Sequence, residues 1–298
     1  MTNPDLSVNI AGVCLKNPVL TASGTFGFGR EYSDFYDLAE LGGICVKGLT
    51  LNPRLGNPPP RIAETPMGIL NSVGLQNPGI HQFIKDEIPY LRQFDTKIIA
   101  NISGSTLDEY IEIAEIAGHA DIDLIELNIS CPNVKAGGMT FGTSCSSVAE
   151  LVSAVRRVCP RPLIVKLSPN VTDITEIARA AECAGADALS LINTLLGMRI
   201  DIKTRRPVLK NNMGGMSGRA VFPVAVRMVW QVSRAVNLPI IGMGGIASGA
   251  DAVEMMLAGA SAVAVGTACF TDPMAPITVR DGISAYLCDN NLSSVTEL

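Results

Sequence analysis

Eight short β-rich runs recur along the chain, near residues 19–22, 43–47, 97–102, 124–130, 163–168, 188–193, 239–243 and 262–266. Between them lie stretches whose apolar residues follow helical spacing: Leu107 to Ala117, Val148 to Val158, Ile174 to Ala184, Val221 to Val236 and Ala250 to Ala258. Strands that alternate with helices pair in parallel, because each helix carries the chain back to the same edge of the sheet. A closed (β/α)8 TIM barrel is the economical α/β solution, and an open doubly wound sheet is the alternative. The 298 residues suit one such barrel, since these run to about 250 residues before insertions. Without repeats, low-complexity stretches or a linker, residues 1–298 read as a single domain.

Composition narrows the classes of partner. Hydrophobic residues are 47% and charged ones 17%, which excludes a disordered or fibrous chain. Net charge is −5, and the basic residues are scattered apart from Lys203, Arg205 and Arg206, so nothing matches the positive stripe that nucleic acid needs. That cluster reads as a solvated loop. No apolar run approaches the roughly 20 residues of a membrane span, and Met1-Thr-Asn-Pro-Asp does not resemble a signal peptide. The expectation is a soluble, cytoplasmic protein. Eight cysteines lie far apart with no C-x-x-C pair, so disulfides, zinc and an iron–sulfur site are poorly supported, and most are expected to be buried reduced thiols.

Alternation around Ala11-Gly12 predicts a short hairpin over 7–16 that plugs one end of the scaffold. Two connections, Gly48 to Thr96 and Thr194 to Met216, are longer than a barrel needs. Both follow strands, so both belong at the C-terminal face, as irregular lids or binding loops.

The strand ends carry the chemistry. In order they offer Thr21-Ala22-Ser23-Gly24-Thr25, Lys47-Gly48, Asn101, Asn128 with Cys131, Lys166, Asn193-Thr194, Gly242-Met243-Gly244-Gly245 and Gly266-Thr267. Gly244-Gly245 and Gly266-Thr267 end the last two strands, where backbone amides can approach an anion; Ser248 is placed to cap the next helix. Each glycine pair alone could be only a tight turn, but two on adjacent strands read as a phosphate site, which favours the barrel. Lys47 and Lys166 each terminate an apolar run, and an ammonium there is costly to desolvate without a negative charge. Two at one face point to an anionic ligand besides the phosphate, with snorkelling to solvent as the alternative. Asn101, Asn128 and Asn193 offer uncharged donors and acceptors suited to a flat heterocycle, although each could serve a turn.

Cys131 ends the run Leu124-Ile125-Glu126-Leu127-Asn128-Ile129-Ser130-Cys131-Pro132-Asn133. A cysteine chosen at random is an inert buried thiol, whereas this position after Asn128 puts it in a loop over the phosphate face. His81 and His119 are the only histidines and neither is an evident partner, so Cys131 reads as a proton acceptor more than a covalent nucleophile. Trp230 falls in an apolar helix and reads as packing.

Taken together, Ala22-Ser23-Gly24-Thr25, Lys47-Gly48, Asn71-Ser72-Val73-Gly74-Leu75, Asn128-Ile129-Ser130-Cys131-Pro132-Asn133, Lys166-Leu167-Ser168-Pro169, Asn193-Thr194-Leu195, Gly215-Met216-Ser217-Gly218, Gly242-Met243-Gly244-Gly245-Ile246 and Gly266-Thr267 resemble the motif set of the class 1 dihydroorotate dehydrogenases. The resemblance covers nearly the whole chain. It implies a barrel that binds FMN and oxidises dihydroorotate to orotate in pyrimidine (UMP) biosynthesis. By the same resemblance Gly244, Gly245, Gly266 and Thr267 match the FMN phosphate site; Ser23, Gly48, Asn101, Asn128, Ile192 and Gly218 match other flavin contacts; and Lys166 matches the lysine near the flavin's pyrimidine edge. Lys47, Asn71, Ser72, Val73, Gly74, Leu75, Asn128, Asn193 and Thr194 match substrate contacts, with Lys47 near the flavin as well. Cys131 matches the base that removes the C5 proton while the C6 hydride leaves for FMN.

Gly27-Phe28-Gly29-Arg30-Glu31-Tyr32, Asn193 to Met198 and Gly215 to Gly218 are similar to the NAD-linked type B catalytic subunits. That implies a partner subunit carrying FAD and a [2Fe–2S] cluster, and a homodimer of barrels within a heterotetramer. The fumarate-using type A homodimer is the less similar relative, and the membrane-associated class 2, with serine as base, is not matched. A flavin barrel acting on another dihydropyrimidine, or a non-catalytic phosphate-binding barrel, are the rival readings. Arg199 departs from the pattern, which has a smaller residue there.

Overall fold

The computed structural model describes residues 4–129 and 141–298, so Cys131 lies outside the described residues. Eight parallel strands close into a ring in chain order: Val19–Thr21, Gly43–Cys45, Lys97–Ile102, Leu124–Asn128, Leu163–Lys166, Ala188–Leu191, Ile240–Met243 and Ala262–Val265. The register Val263↔Val19, Ala264↔Leu20 and Val265↔Thr21 joins the last strand to the first and rules out the open sheet. The strands form where the sequence reads as short continuous apolar runs, because a parallel strand under a layer of helices is buried on both faces.

All five expected helices are present, as Leu107–His119, Cys145–Val158, Ile174–Cys183, Phe222–Ser233 and Gly249–Leu257. Thr106, Ser144, Asp173 and Ser248 cap four of them, each accepting a backbone N–H from the first turn. A sixth, Ala275–Asp289, follows the last strand. Gly282 hides it in the sequence, and the glycine is there for packing: a Cβ on it would stand 2.7 Å from the Gly249 Cα of the neighbouring helix. The hairpin Val8–Ile10 with Val13–Leu15 forms as expected, with Ala11 beside Arg156, Pro160, Arg161, Pro162 and Asp187 near the N-terminal ends of two barrel strands.

Three expectations are corrected. The two long excursions are ordered against each other: Ile62–Thr65, Gly68–Asn71, Met213–Ser217 and Leu195–Met198 make a four-stranded antiparallel sheet over the C-terminal face. Of the seven described cysteines, only Cys45, Cys159 and Cys269 are buried, while Cys14, Cys145, Cys183 and Cys288 are exposed, all of them on the barrel's outer elements or the hairpin. Trp230 is 49% exposed and stacks under the Arg234 guanidinium, 3.9 Å from the ring centroid, on the outer face of its helix. The Lys203/Arg205/Arg206 cluster is exposed as expected, at a turn between Ile200–Asp201 and Arg206–Pro207. Arg199 donates to the Glu64 carbonyl, so the larger side chain ties one excursion to the other.

Candidate active site

Parallel register decides which side chains meet inside the barrel. Asn101 pairs with Glu126, and both side chains point inward; Asn128 pairs with Lys166, and Lys166 with Ser190. The consequence is a polar layer just under the C-terminal mouth. Glu126 is its centre: Oε1 accepts from Asn101 Nδ2 at 2.5 Å, from the Cys45 thiol at 3.2 Å and from the Lys166 ammonium at 3.4 Å, while Oε2 accepts from Ser190 Oγ at 2.7 Å. All five residues are buried. Burial alone would raise the Glu126 carboxyl, but the Lys166 charge and the Ser190, Asn101 and Cys45 hydrogen bonds outweigh it and hold the group below the usual carboxylate value. Cys45 moves the other way, pushed well up by burial and then by the Glu126 charge, so its thiol stays protonated and donates.

This layer revises the electrostatic reading of the two lysines. Lys166 finds its counter-charge in the barrel itself, so it does not by itself require an anionic ligand. Lys47 is half-buried and makes no ion pair among the described residues, and burial followed by the charges of Arg61 and Lys166 lowers its pKa. Glu126, Cys45 and Ser190 were not among the expected site residues. The signal for Glu126 was nevertheless present, as one acidic residue inside the apolar run Leu124-Ile125-Glu126-Leu127. A charge in a strand covered on both faces has to meet a partner within the barrel.

Most of the other expected residues assemble around this layer. Gly48 stands against Asn101, where a Cβ would approach Oδ1 to 2.8 Å, and the Lys47 ammonium lies by Gly24. Asn193 Nδ2 donates to Asn128 Oδ1 at 3.4 Å, and Tyr110 Oη donates to the Asn128 carbonyl at 2.7 Å, fixing the end of that strand. The antiparallel sheet brings Asn71 level with Gly215, and Thr194 packs on the same glycine. Asn57 clamps the 71–75 segment through the Ser72 and Val73 carbonyls. Ser23 adjoins the layer through its backbone N–H to the Cys45 sulfur.

The expected phosphate cradle is also brought together. Gly244 and Gly245 have φ of 125° and 82°, and Gly245 lies against Phe222 and the Gly218 carbonyl, while Ile192 packs on Gly244. Thr267 Oγ1 donates to Ser217 Oγ at 2.8 Å, linking the Gly266-Thr267 turn to Gly218. A Cβ at Gly245 would sit 2.7 Å from Phe222 Cβ, and the left-handed backbone disfavours any L side chain. Gly245→Ala should therefore lower the unfolding free energy by at least about 1–2 kcal/mol, read from urea denaturation.

Two buried oxygens at this face have no hydrogen-bond partner among the described residues, Asn101 Oδ1 and Ser72 Oγ, and both belong to expected ligand contacts. Buried polar atoms left unpaired among the described residues thus lie at the same face as the glycine-lined turn and the Lys47 ammonium. Comparison with known proteins decides the family. The dihydroorotate dehydrogenase family model matches residues 5–287. The chain belongs to the dihydroorotate dehydrogenase family. Among curated members, the "Dihydroorotate dehydrogenase B (NAD(+)), catalytic subunit" of Alkaliphilus oremlandii is 61% identical over 298 residues, covering 100% of this chain and 99% of that protein. Proteins of the same description from Bacteroides thetaiotaomicron and Geotalea daltonii are 59% and 58% identical, covering 99% and 100% of this chain and 97% and 98% of their own lengths. No described helix is long and apolar enough to cross a membrane.

Proposed function

We propose that this chain oxidises (S)-dihydroorotate to orotate in UMP biosynthesis, with FMN as its resident cofactor and a separate electron-transfer subunit passing electrons to NAD. The reading rests on family membership and on one observation above others. Lys47, an ammonium without a carboxylate partner among the described residues, stands at the same strand end as Gly48, which adjoins the Asn101 Oδ1 left unpaired among those residues. A carboxylate-bearing substrate and a flat heterocyclic cofactor match those two demands.

The residues fit FMN. Gly244, Gly245, Gly266 and Thr267 would hold its phosphate, with Ser23, Gly48, Asn101, Asn128, Lys166, Ile192 and Gly218 around the ring system. When bound, FMN supplies the acceptor for the C6 hydride. Lys47 holds the substrate carboxylate, and the amides of Asn71, Asn128 and Asn193, with Thr194, Ser72 and the backbone from Val73 to Leu75, orient the pyrimidine ring. Cys131 removes the proton at C5. Its place three residues after Asn128 supports that role, since Asn128 ends a strand at this mouth.

The phrase "catalytic subunit" in the relatives' names supports a second chain, which we assign FAD and a [2Fe–2S] cluster. Leu196, Met198, Ile200 and Met213, left exposed along the antiparallel excursion, support a heterotetramer built on two barrels.

Anaerobic addition of dihydroorotate to the yellow protein, followed by NAD, fumarate or a quinone, tests the reading. Bleaching by dihydroorotate and reoxidation by NAD through the partner subunit are expected; no bleaching sinks it, and fumarate turnover by the isolated chain moves it to type A. Lys47→Met should raise KM for dihydroorotate roughly 10- to 100-fold, the cost of one charge-assisted hydrogen bond, in steady-state assays.

A further inference from the structure

Glu126 touches none of the expected substrate positions, yet two of the expected flavin contacts, Asn101 and Lys166, end on a single one of its oxygens. An ionised carboxylate only accepts hydrogen bonds. Asn101 must therefore turn its Nδ2 down to Glu126, which leaves Oδ1 as the atom facing the position beside Gly48. That oxygen is buried and has no partner among the described residues. The carboxylate thus converts an amide that could present either end into a fixed acceptor for an N–H. It also anchors the Lys166 ammonium at one place in a layer from which water is excluded.

The remaining neighbours of Glu126 secure it from the other side. Ser190 Oγ holds Oε2, and the Cys45 thiol adds a third donor on Oε1. Each of these comes from a different barrel strand: Gly43–Cys45, Lys97–Ile102, Leu163–Lys166 and Ala188–Leu191 converge on the fourth strand's one acid. Purely structural packing of a barrel interior uses bulky aliphatic side chains. A buried acid saturated by four donors, with a free acceptor and an ammonium above it, is built to aim those two groups.

We propose that Glu126 is the positioning residue of the flavin site: it orients Asn101 as an acceptor and fixes the Lys166 ammonium in place, and through them it sets the affinity for FMN and its reduction potential. The inference rests on the reading of this chain as an FMN enzyme. Reduction delivers negative charge to the ring system, and a fixed ammonium beside it favours the reduced form. Without the carboxylate, the buried ammonium loses its counter-ion and its anchor. Asn101 is then free to present either end.

The experiment is a reductive titration of the FMN-loaded full chain against a reference dye, with FMN affinity from fluorescence, for wild type and Glu126→Gln. At a fixed ambient potential the ratio of reduced to oxidised FMN should fall about tenfold in Glu126→Gln, a drop of about 30 mV for a two-electron couple. The FMN dissociation constant should rise at least tenfold. Ser190→Ala, which removes one donor and leaves the acid in place, should shift the potential the same way by a smaller factor and serves if Glu126→Gln does not fold. A lowered melting temperature with potential and affinity both unchanged would reduce Glu126 to a structural role and overturn the proposal. A raised potential would overturn it as well, because the carboxylate would then act by its own charge and not through Lys166. Wild-type chain that takes up no FMN would overturn the proposed function together with this inference, whereas a normal wild type with an unaltered variant defeats this inference alone.

Discussion

Cys131→Ala is expected to keep FMN bound and to slow reduction of the flavin by dihydroorotate roughly 10²–10⁴-fold, the contribution of a positioned general base. The retained flavin separates loss of proton abstraction from loss of the site. A thiol acts as a base only as its thiolate, so the wild-type rate should climb with pH, and the variant should lose the climb along with the rate. No other described group takes over easily. His119 Nδ1 is committed to the Glu115 carbonyl at the end of its helix, and His81 is exposed on the outer layer. Cys45 is a thiol inside the barrel, but burial and the Glu126 charge keep its proton on. Single-turnover mixing in a stopped-flow instrument, from pH 6 to 9, reads both features; reduction of the variant at the wild-type rate removes Cys131 from the mechanism.

The barrel was legible because its strands obey one physical rule. Runs such as Ile98 to Ala100 and Leu163 to Val165 are buried on both faces, so they are apolar throughout and stand out from the amphipathic helices that follow them. The antiparallel sheet was not legible, because Gly68–Asn71 and Met213–Ser217 carry three glycines between them and show no strict alternation. Those glycines are required by the fold: a Cβ on Gly215 would collide with Thr194, and one on Gly68 with the Ser217 carbonyl. In the site, the glycine pairs, Lys47 and the asparagines were readable as strand-end residues, since the closing of a parallel barrel gathers all strand ends at one rim. Partnership below that rim was not. The Asn101–Glu126–Lys166 layer depends on strand register, which no single run of sequence specifies. Lys166 therefore read as a lysine in want of an anion when its anion was already two residues before Asn128.

Lys166→Ala is expected to produce the largest loss of stability among single changes at the site, and the loss should depend on pH in a definite direction. Removing one partner of a buried pair leaves the other charge uncompensated, at a cost of about 3–5 kcal/mol. For a chain of this size that lowers the melting temperature by on the order of 10 °C. In the wild type, the Glu126 carboxyl lies below its ordinary value, so its contribution is present above about pH 4.5 and is lost only as pH falls through the lower folded value. In the variant the Lys166 charge is gone, the three neutral donors remain, and desolvation, the largest influence on this group, dominates. The folded carboxyl then titrates above its unfolded value, so the variant carries a penalty at neutral pH that disappears as acid protonates Glu126. The difference between the two proteins should be widest at pH 7 to 8 and should shrink on acidification toward pH 5. Thermal melts across that range decide the matter: a difference that stays constant, or widens in acid, would mean that Glu126 is not the charge left behind. Lys166→Met with Glu126→Leu, which removes both charges and keeps the volume, should recover most of the lost stability without restoring flavin reduction, because an apolar pair can replace a buried ion pair in the fold but not beside the ligand.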